Sequence, residues 1–180
     1  EKNFHGPVVT IDYPNKYFHT IEFNVNEAIM DVIGHLVEKH HIRDIAYMTG
    51  HMGHLHAEAR LEGYRKAMKT YGLEIKENRE FYGDFWYFEG EHILEELLQS
   101  KEGLPEAIAC GSDPMGLSLY EACKKRGIRV PEDLIITGYD ASFESSNNPF
   151  FLTSVKLDVN NLGVKAVQYL YHQMHPDYES

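Results

Sequence analysis

The chain of 180 residues has little cysteine, few basic side chains and no long apolar run. Its two cysteines, Cys110 and Cys123, do not form the paired framework of a disulfide-rich secreted protein, so we expect reduced thiols. No apolar stretch approaches the roughly 20 residues that a membrane-spanning helix needs. The first residues lack the basic start and apolar run of a secretion signal. Together these absences predict a soluble, cytoplasmic protein.

The net charge argues against nucleic acid as a direct partner of these residues. Acidic side chains outnumber basic ones by 28 to 17, which gives a formal net charge of −11. A surface of this charge repels a phosphate backbone, so these residues are a poor candidate for direct binding of nucleic acid. Apolar residues at 43% and charged residues at 25% are ordinary globular values and argue against disorder or a coiled coil. The length fits one domain or two small lobes.

Short β-rich runs alternate with amphipathic helical runs along almost the whole chain. Several runs, such as Val8–Ile11 and Leu134–Ile136, are apolar throughout, as expected for a sheet covered on both faces. Alternation with short connections predicts right-handed βαβ units and an α/β fold, a three-layer α/β/α parallel sheet. Strands are predicted at Pro7–Asp12, Thr20–Asn24, Ile45–Gly50, Glu80–Gly83, Ala107–Gly111, Leu134–Gly138 and Thr153–Lys156.

The helical runs carry apolar stripes with i, i+3, i+4 spacing. The fourth helix also has end signals, with Asp113 as the predicted N-cap, Pro114 in the first turn and Gly127 as the closing residue. A last helix is predicted from about Asn160 to Met174. Inward positions are predicted for the third and the last helix at Ile93, Leu94, Leu97, Leu98, Leu162, Ala166, Val167 and Leu170. Ser142–Pro149 and Pro176–Ser180 are predicted to be irregular.

A ligand site is expected at one edge of this sheet. In open parallel sheets, ligands bind beyond the carboxyl ends of the strands, where helix N-termini also offer backbone N–H groups. Glycines allow tight turns at each of these strand-to-helix corners. The corners are Gly50-His51, Gly83–Trp86, Gly111–Asp113 and Gly138–Asp140.

Arg60 is the most informative residue near this rim. It shares the apolar stripe of its helix with Tyr64 and Met68, near the N-terminal end, so its guanidinium must be paired or hydrogen-bonded. One interpretation is a structural bridge to an aspartate. The other is a fork of donors for ligand hydroxyls or a carboxylate, with Asp140 as the opposite acceptor.

The remaining rim residues allow two interpretations each. Either Phe85 or Trp86 could pack under the sheet edge while the other forms a flat wall for a sugar ring or base, and we favour Phe85 for the wall. Ser112 could contact a ligand or only cap the helix that follows. His51, His54 and His56 share one rim loop.

The sequence predicts neither a metal site nor catalysis. The histidines of the rim loop have no zinc-ligand spacing, so solvated histidines that contact a ligand are favoured over a metal site. No nucleophile elbow, phosphate-binding loop or dinucleotide fingerprint occurs, and Cys110 is interpreted as a core thiol. The predicted protein is therefore not an enzyme and has no cofactor. An enzyme of flavodoxin-like or Rossmann type is the alternative, and it would show turnover or a bound cofactor at the rim.

The run Gly127–Asp140, GIRVPEDLIITGYD, resembles the signature of the effector-binding region of lactose/galactose-repressor-type transcription regulators. The resemblance continues upstream in Arg60–Tyr64 and Leu104–Met115, and downstream in Pro149–Val155 and Leu162–Gly163. It implies a periplasmic-binding-protein-like fold of type I, with two α/β lobes and a small molecule between them. By this resemblance, residues 1–24 end the first lobe and form a crossing strand. Residues 25–157 form a complete second lobe, and residues 158–180 return as a helix and tail to a first lobe that is only partial.

The resemblance also implies roles for individual residues. Arg60 and Asp140 would be polar clamps on the effector, and Phe85 its aromatic wall. Ser112 stands where the family often has asparagine. Two further ligand-binding candidates, Asp12 and Phe23, match first-lobe and hinge positions. Ala141 replaces a frequent second aspartate, which implies altered ligand chemistry.

The function implied is sensing of a small-molecule effector, a sugar or sugar-like compound, by a bacterial transcriptional regulator or repressor. Effector-dependent closure of the lobes would act on DNA through a domain outside this segment. A homodimer is expected in the intact protein, without membrane partners. Two alternatives are a sugar-binding protein for transport and the same sensory module fused to another output, such as a cyclic-dinucleotide cyclase.

Overall fold

The structure is a computed structural model that describes residues 5–86, 89–142 and 152–176. Within these ranges, strands and helices alternate in the predicted order. The strands are β1 Val9–Ile11, β2 His19–Ile21, β3 Ile45–Thr49, β4 Glu80–Tyr82, β5 Ala107–Cys110, β6 Ile135–Tyr139 and β7 Thr153–Val155. The helices are α1 Val25–His40, α2 Leu55–Thr70, α3 Gly90–Gln99, α4 Asp113–Lys125 and α5 Val159–Met174.

The larger of two compact units, Val25–Lys156, contains a five-stranded sheet. Its strands are all parallel and run in the order β4-β3-β5-β6-β7. All five residues of β3 are buried, which is why this run is continuously apolar rather than alternating. The parallel order places the carboxyl ends of the strands along one edge of the sheet.

Helices cover both faces of this sheet. Ala46 and Met48 of β3 pack into a core with Leu94 of α3 and Leu119 of α4. The alternate residue Tyr47 points to the other face, where its ring stacks on Tyr64 of α2 with the ring centroids 5.1 Å apart. The predicted three-layer α/β/α parallel sheet is therefore confirmed.

A buried ion pair closes the edge of the sheet where the strands begin. Arg79, which precedes β4, has a fully buried side chain and donates through Nε and Nη2 to the Asp44 carboxylate at 2.8 and 2.9 Å. Lys76 donates to the same carboxylate at 2.8 Å. Burial alone would raise the pKa of Asp44, but the hydrogen bonds from Arg79 and Lys76 lower it below its ordinary value.

The smaller unit comprises Glu1–Asn24 and Leu157–Ser180. In it β1 and β2 pair in parallel, and the hydroxyls of Thr10 and Thr20 lie 2.6 Å apart. The ring of His19 stacks on Tyr169 of α5 at 4.2 Å. These strands have three residues each, so the unit offers a small area for burial.

Several local predictions were wrong. Ser112, not Asp113, is the N-cap of α4, and its hydroxyl accepts the Met115 N–H at 3.3 Å. Val167 and Leu98 were predicted to face inward, but they are 66% and 43% exposed. Of the predicted irregular stretches, residues 143–149 and 177–180 lie outside the described ranges.

Both cysteines are free thiols in the core, as the sequence predicted for Cys110. Cys110 and Cys123 are both unpaired and buried. Burial raises the pKa of Cys123 to about 11 and that of Cys110 further still, so both stay protonated at neutral pH. In the part of the chain that the structure describes, no helix has the length and apolarity needed to cross a membrane.

Candidate functional site

A cleft of about 200 Å³ opens at the carboxyl-terminal edge of the five-stranded sheet. It is lined by residues that follow β3, β4, β5 and β6, which is the rim predicted from the sequence. The volume is below the roughly 300 Å³ at which pockets for drug-sized ligands begin, so the cleft suits a molecule of about one ring. The lining residues are His54, His56, Arg60, Phe85, Trp86, Ser112, Pro114 and Asp140.

Arg60 reaches the cleft from the buried face of α2 and is only 9% exposed. Its Nη1 donates a short hydrogen bond to the carbonyl of Gly111. The guanidinium carbon lies 3.8 Å from the ring centroid of Tyr139 and 5.2 Å from that of Phe85. The Nε atom is buried and has no hydrogen-bond partner among the residues that the structure describes. Stacking therefore fixes the guanidinium while one of its donors lacks an acceptor.

Asp140 also lines the cleft, directly after β6, on strained backbone. Its φ is 103° and that of Ala141 is 45°, both in the left-handed region that non-glycine residues seldom adopt. Two hydrogen bonds hold this turn: Asp140 N donates to Val155 O at 3.0 Å, and Ala141 N donates to Ser154 Oγ at 3.0 Å. Strain held in this way is typical of a functional position.

A buried carboxylate supports the turn from below. Asp113, at the start of α4, accepts the Ser154 hydroxyl at 2.5 Å and the Ser142 N–H at 2.6 Å. It is fully buried beside Gly138, where an added Cβ would lie 2.2 Å from its Oδ1. The sequence predicted a cap role for Asp113, whereas the structure shows it fixing the backbone that presents Asp140.

The carboxyl of Asp140 has a raised pKa. Desolvation raises it to about 6, with Asp113 adding to the rise and the positive charge of Arg60 opposing it. Asp140 is exposed at the rim, but the surrounding protein still removes much of the water from its carboxyl. Neither Arg60 nor Asp140 makes an ion pair with any residue that the structure describes. Both charged groups thus border the cleft without neutralising each other by contact.

The aromatic wall is formed at the corner after β4. Phe85 has a φ of 71°, and Ser112 Oγ donates to its carbonyl at 2.8 Å. Its ring packs so closely on Gly50 that an added Cβ would lie 2.1 Å from a ring carbon, so position 50 needs glycine. Trp86 is 63% exposed and lines the same cleft. The Ser112 hydroxyl thus both caps α4 and fixes Phe85.

Three histidines stand at the α2 side of the cleft. The ring centroids of His51 and His54 lie 5.1 Å apart, and those of His54 and His56 lie 5.5 Å apart. His54 Nδ1 is buried and has no hydrogen-bond partner within residues 5–86, 89–142 and 152–176. Burial lowers the pKa of His54, and His51, His56 and Arg60 lower it further, so this imidazole is neutral at neutral pH. Among the described residues, no three or more histidine, cysteine, aspartate or glutamate side chains are grouped so that they could hold a metal ion.

Four of the six predicted site residues meet in this cleft: Arg60, Phe85, Ser112 and Asp140. Asp12 and Phe23 belong to the smaller unit. Asp12 has a φ of 52°, and its N–H donates to Ile21 O at 2.8 Å. The ligand roles of all six residues stay predictions.

Four lining residues lie outside the six predicted ligand-binding residues: His54, His56, Trp86 and Pro114. The sequence analysis had interpreted the two histidines as rim-loop residues that contact a ligand, and Trp86 as the alternative to Phe85 for the aromatic wall. Tyr139, which stacks on Arg60, was harder to find. It belongs to an apolar strand buried on both faces, where no pattern distinguishes a core ring from one beside the site.

The comparisons with known proteins agree with this architecture. Residues 33–180 match the family described as periplasmic binding protein-like domain. The chain is 36% identical over 140 residues to the ribose operon repressor of Escherichia coli strain K12, covering 78% of this chain and 42% of that protein. It is 34% identical over 173 residues to the transcriptional repressor PurR of Actinobacillus pleuropneumoniae serotype 3, covering 95% and 51%.

A solved complex of the transcriptional regulator CelR with cellobiose superposes with a TM-score of 0.80 at 27% identity. The superposition covers 96% of this chain and 53% of that one. The chain thus spans about half the length of the curated relatives that it matches.

Proposed function

The chain belongs to the family of periplasmic binding protein-like domains, and from this premise we propose that it is the effector-sensing domain of a bacterial transcriptional regulator. In this proposal, a small polar molecule binds at the cleft of the Val25–Lys156 unit. Two of the relatives are repressors and one solved relative is a transcriptional regulator, which supports the regulatory role. The chain itself would carry out no chemistry.

One observation carries the proposal: Arg60 and Asp140 border the same cleft, and neither has an ion-pair partner in the described part of the chain. A buried guanidinium with an unpartnered Nε loses hydrogen-bond energy unless a ligand supplies the acceptor. Asp140 supplies the complementary acceptor, or a donor when protonated. Together the two side chains can grip the polar groups of one small molecule.

The aromatic side chains favour a ligand with a ring. Phe85 and Trp86 present flat apolar surface next to the polar clamps, the arrangement by which proteins hold the C–H face of a sugar and its hydroxyls at once. The similarity to a regulator solved with cellobiose supports a sugar or sugar-like effector. The cleft volume of about 200 Å³ favours a single ring in this unit.

We further propose that the effector acts on the whole protein by favouring the closed arrangement of two lobes. Moving a population from mostly open to mostly closed requires roughly 5 kcal/mol of differential affinity, which two charged clamps and an aromatic wall can supply together. DNA would be bound by a domain outside this segment, because a net charge of −11 repels a phosphate backbone. A cytoplasmic homodimer is the expected form of the intact protein.

Effector binding can be tested by calorimetric titration of sugars found in a thermal-shift screen of the chain. We expect Arg60→Ala and Asp140→Ala each to reduce the affinity by at least roughly tenfold, because each removes a charged hydrogen-bond partner. Arg43→Ala is the matched control, since Arg43 is exposed before β3, at the opposite edge of the sheet. Unchanged affinity in both cleft variants would remove the site assignment.

A further inference from the structure

We propose that the effector carries an anionic oxygen group, a carboxylate or a phosphate, that binds at the start of α2 against Arg60 and His54. This inference rests on the proposed function and specifies the chemical class of the ligand. It concerns the part of the cleft formed by the start of α2.

The partners of a buried guanidinium can be compared at two positions of this chain. Among the residues that the structure describes, two arginines are buried, Arg60 and Arg79. Arg79 has the Asp44 carboxylate in a two-bond contact and further carbonyl acceptors. Arg60 has one carbonyl acceptor, the ring faces of Tyr139 and Phe85, and no carboxylate within ion-pair distance in the described ranges.

The difference between these two arginines points to the missing partner. A buried guanidinium is normally paired, because its charge is otherwise poorly solvated. Stacked rings hold the Arg60 guanidinium flat, and its unpartnered Nε belongs to the donor edge that binds carboxylate or phosphate through two parallel bonds. The missing partner is therefore an acceptor with negative charge.

His54 adds a second unpartnered group at the same place. It occupies the N-cap position of α2 with extended backbone, yet its side chain makes no capping hydrogen bond. Its Nδ1 is buried without a partner, and its ring meets Phe85 edge-on at 5.3 Å. The first N–H groups of a helix have no partners within the helix, and its N-terminus carries positive potential. An anion here would meet the helix end, the imidazole and the guanidinium together.

The carboxyl of Asp140 is compatible with a negatively charged ligand in the same cleft. This carboxyl has a pKa raised to about 6, so near that pH half of it is protonated and can donate to the ligand. An anion would favour the protonated forms of both Asp140 and His54. The charged or titratable groups near His54 are His51, His56 and Arg60, and those near Asp140 are Arg60 and Asp113. Binding should therefore take up protons, and the affinity for the anion should rise as the pH falls from 8 to 6.

The test uses the 180-residue chain and three probes: glucuronate, glucose and inorganic phosphate. Glucuronate and glucose share one ring and differ in the carboxylate. Binding is followed by nuclear magnetic resonance at the Arg60 Nε–H and the His54 imidazole, at pH 6 and pH 8. We expect glucuronate to bind roughly tenfold more tightly than glucose, as a charge-assisted contact implies, and phosphate to shift both signals.

Substitutions distinguish anion binding at Arg60 and His54 from non-specific electrostatic attraction of anions to the protein. His54→Gln keeps a hydrogen-bonding group without the titrating charge, so it should weaken glucuronate binding more than glucose binding and reduce the pH dependence of glucuronate binding. Arg60→Lys should weaken glucuronate binding, whereas Arg43→Ala should not.

Two results would overturn the proposal: glucose binding as tightly as glucuronate, or phosphate producing no saturable shift at Arg60 and His54. If neutral sugars bind and Arg60→Ala abolishes their binding, the proposed sensing function remains and only the anionic class is rejected.

Discussion

At the scale of single residues, Asp140 shows a conflict between stability and function. Its folded pKa of about 6 lies above the roughly 3.9 of an unfolded aspartate, so the fold favours the protonated form. The resulting stabilisation is complete below pH 4 and is lost as the pH rises through 6. Asp140→Asn mimics the protonated form. We therefore expect it to raise the free energy of unfolding at pH 7 by no more than ~1 kcal/mol, since the residue is exposed.

The measurement is urea denaturation of both proteins at pH 4 and pH 7. The stability difference should be much smaller at pH 4, where the wild-type carboxyl is protonated in the folded state and about half protonated in the unfolded state. A difference of the same size at both pH values would mean that the carboxyl is not desolvated. The same substitution should weaken effector binding, as expected where a strained, partly dehydrated group is kept for its ligand.

Gly138 has no room for a side chain, because it packs against the carboxylate that supports the Asp140 turn. An added Cβ would lie 2.2 Å from Asp113 Oδ1 and 2.5 Å from Leu152 Cδ2, so Gly138→Ala must displace the carboxylate that holds Ser142 and Ser154. We expect a loss of roughly 1–3 kcal/mol in denaturant unfolding, the range for overpacking, together with weaker effector binding.

Gly163→Ala in α5 is the matched control for this prediction. Among the described residues, no atom beyond the adjacent residues and backbone of its own helix lies within 4 Å of its added Cβ, so this change should stabilise the helix by up to ~1 kcal/mol. Equal effects of the two substitutions would contradict the steric argument.

Individual site residues could be predicted from the sequence only where a local rule applied. Arg60 was identifiable because a charged residue on an apolar stripe near a helix start is unusual, and Asp140 because it follows a buried strand. The partner of Asp113 could not be identified, because Ser154 is 41 residues away along the chain and meets it only through the β6–β7 pairing. Similarly, no local pattern in the sequence indicates that the Tyr139 ring stacks on Arg60.

At the scale of secondary-structure elements, buried and exposed ion pairs should contribute very differently. Arg79 is fully buried with Asp44 at the starts of β3 and β4, whereas Arg65 of α2 pairs with Glu80 while half exposed. Arg79→Ala removes a fully buried charged side chain and leaves the part-buried Asp44 carboxylate with Lys76 alone, so it should cost about 3–5 kcal/mol of unfolding free energy. Arg65→Ala should cost less than ~1 kcal/mol.

Thermal and urea unfolding of the two variants test this difference. Effector affinity is a useful second readout, because both positions lie away from the cleft and neither change should alter binding by a folded protein. Similar costs for the two variants would show that the buried pair does not hold the strand starts in place.

Element positions could be predicted well because the strands are apolar and the helices amphipathic, and every predicted strand has an observed counterpart shifted by at most a few residues. Which helix side chains are buried was predicted less well at the borders of the apolar stripes. Val167 follows the apolar spacing of α5 but is 66% exposed, since spacing records which residues could be buried and not what surface is available to cover them. The N-cap of α4 was misplaced by one residue, because serine and aspartate have similar preference for that position.

At the scale of the whole molecule, the two compact units differ in how much core they contain. The Val25–Lys156 unit has a continuous cluster of buried apolar residues from β3, β5, β6, α3 and α4. The smaller unit has two strands of three residues and few buried apolar side chains, among them Leu162 and Ala166. Large side chains such as Tyr17 and Val167 are 75% and 66% exposed there. Composition alone could not predict this imbalance, because both units contain apolar residues.

This imbalance predicts a graded pattern of hydrogen exchange. Amides of β3 and β5 lie at the centre of the larger sheet and should exchange only through global unfolding. Amides of β1 and β2 are held by a two-stranded ladder, which is at best marginally stable on its own, so they should exchange at least ~100-fold faster. Hydrogen exchange measured by mass spectrometry on the 180-residue chain tests this difference in rate. The amides of β6, a further strand of the larger sheet, provide the reference rate. Equal protection of β1 and β3 would show that the chain unfolds as one cooperative unit, and the difference in buried core would then not control local stability.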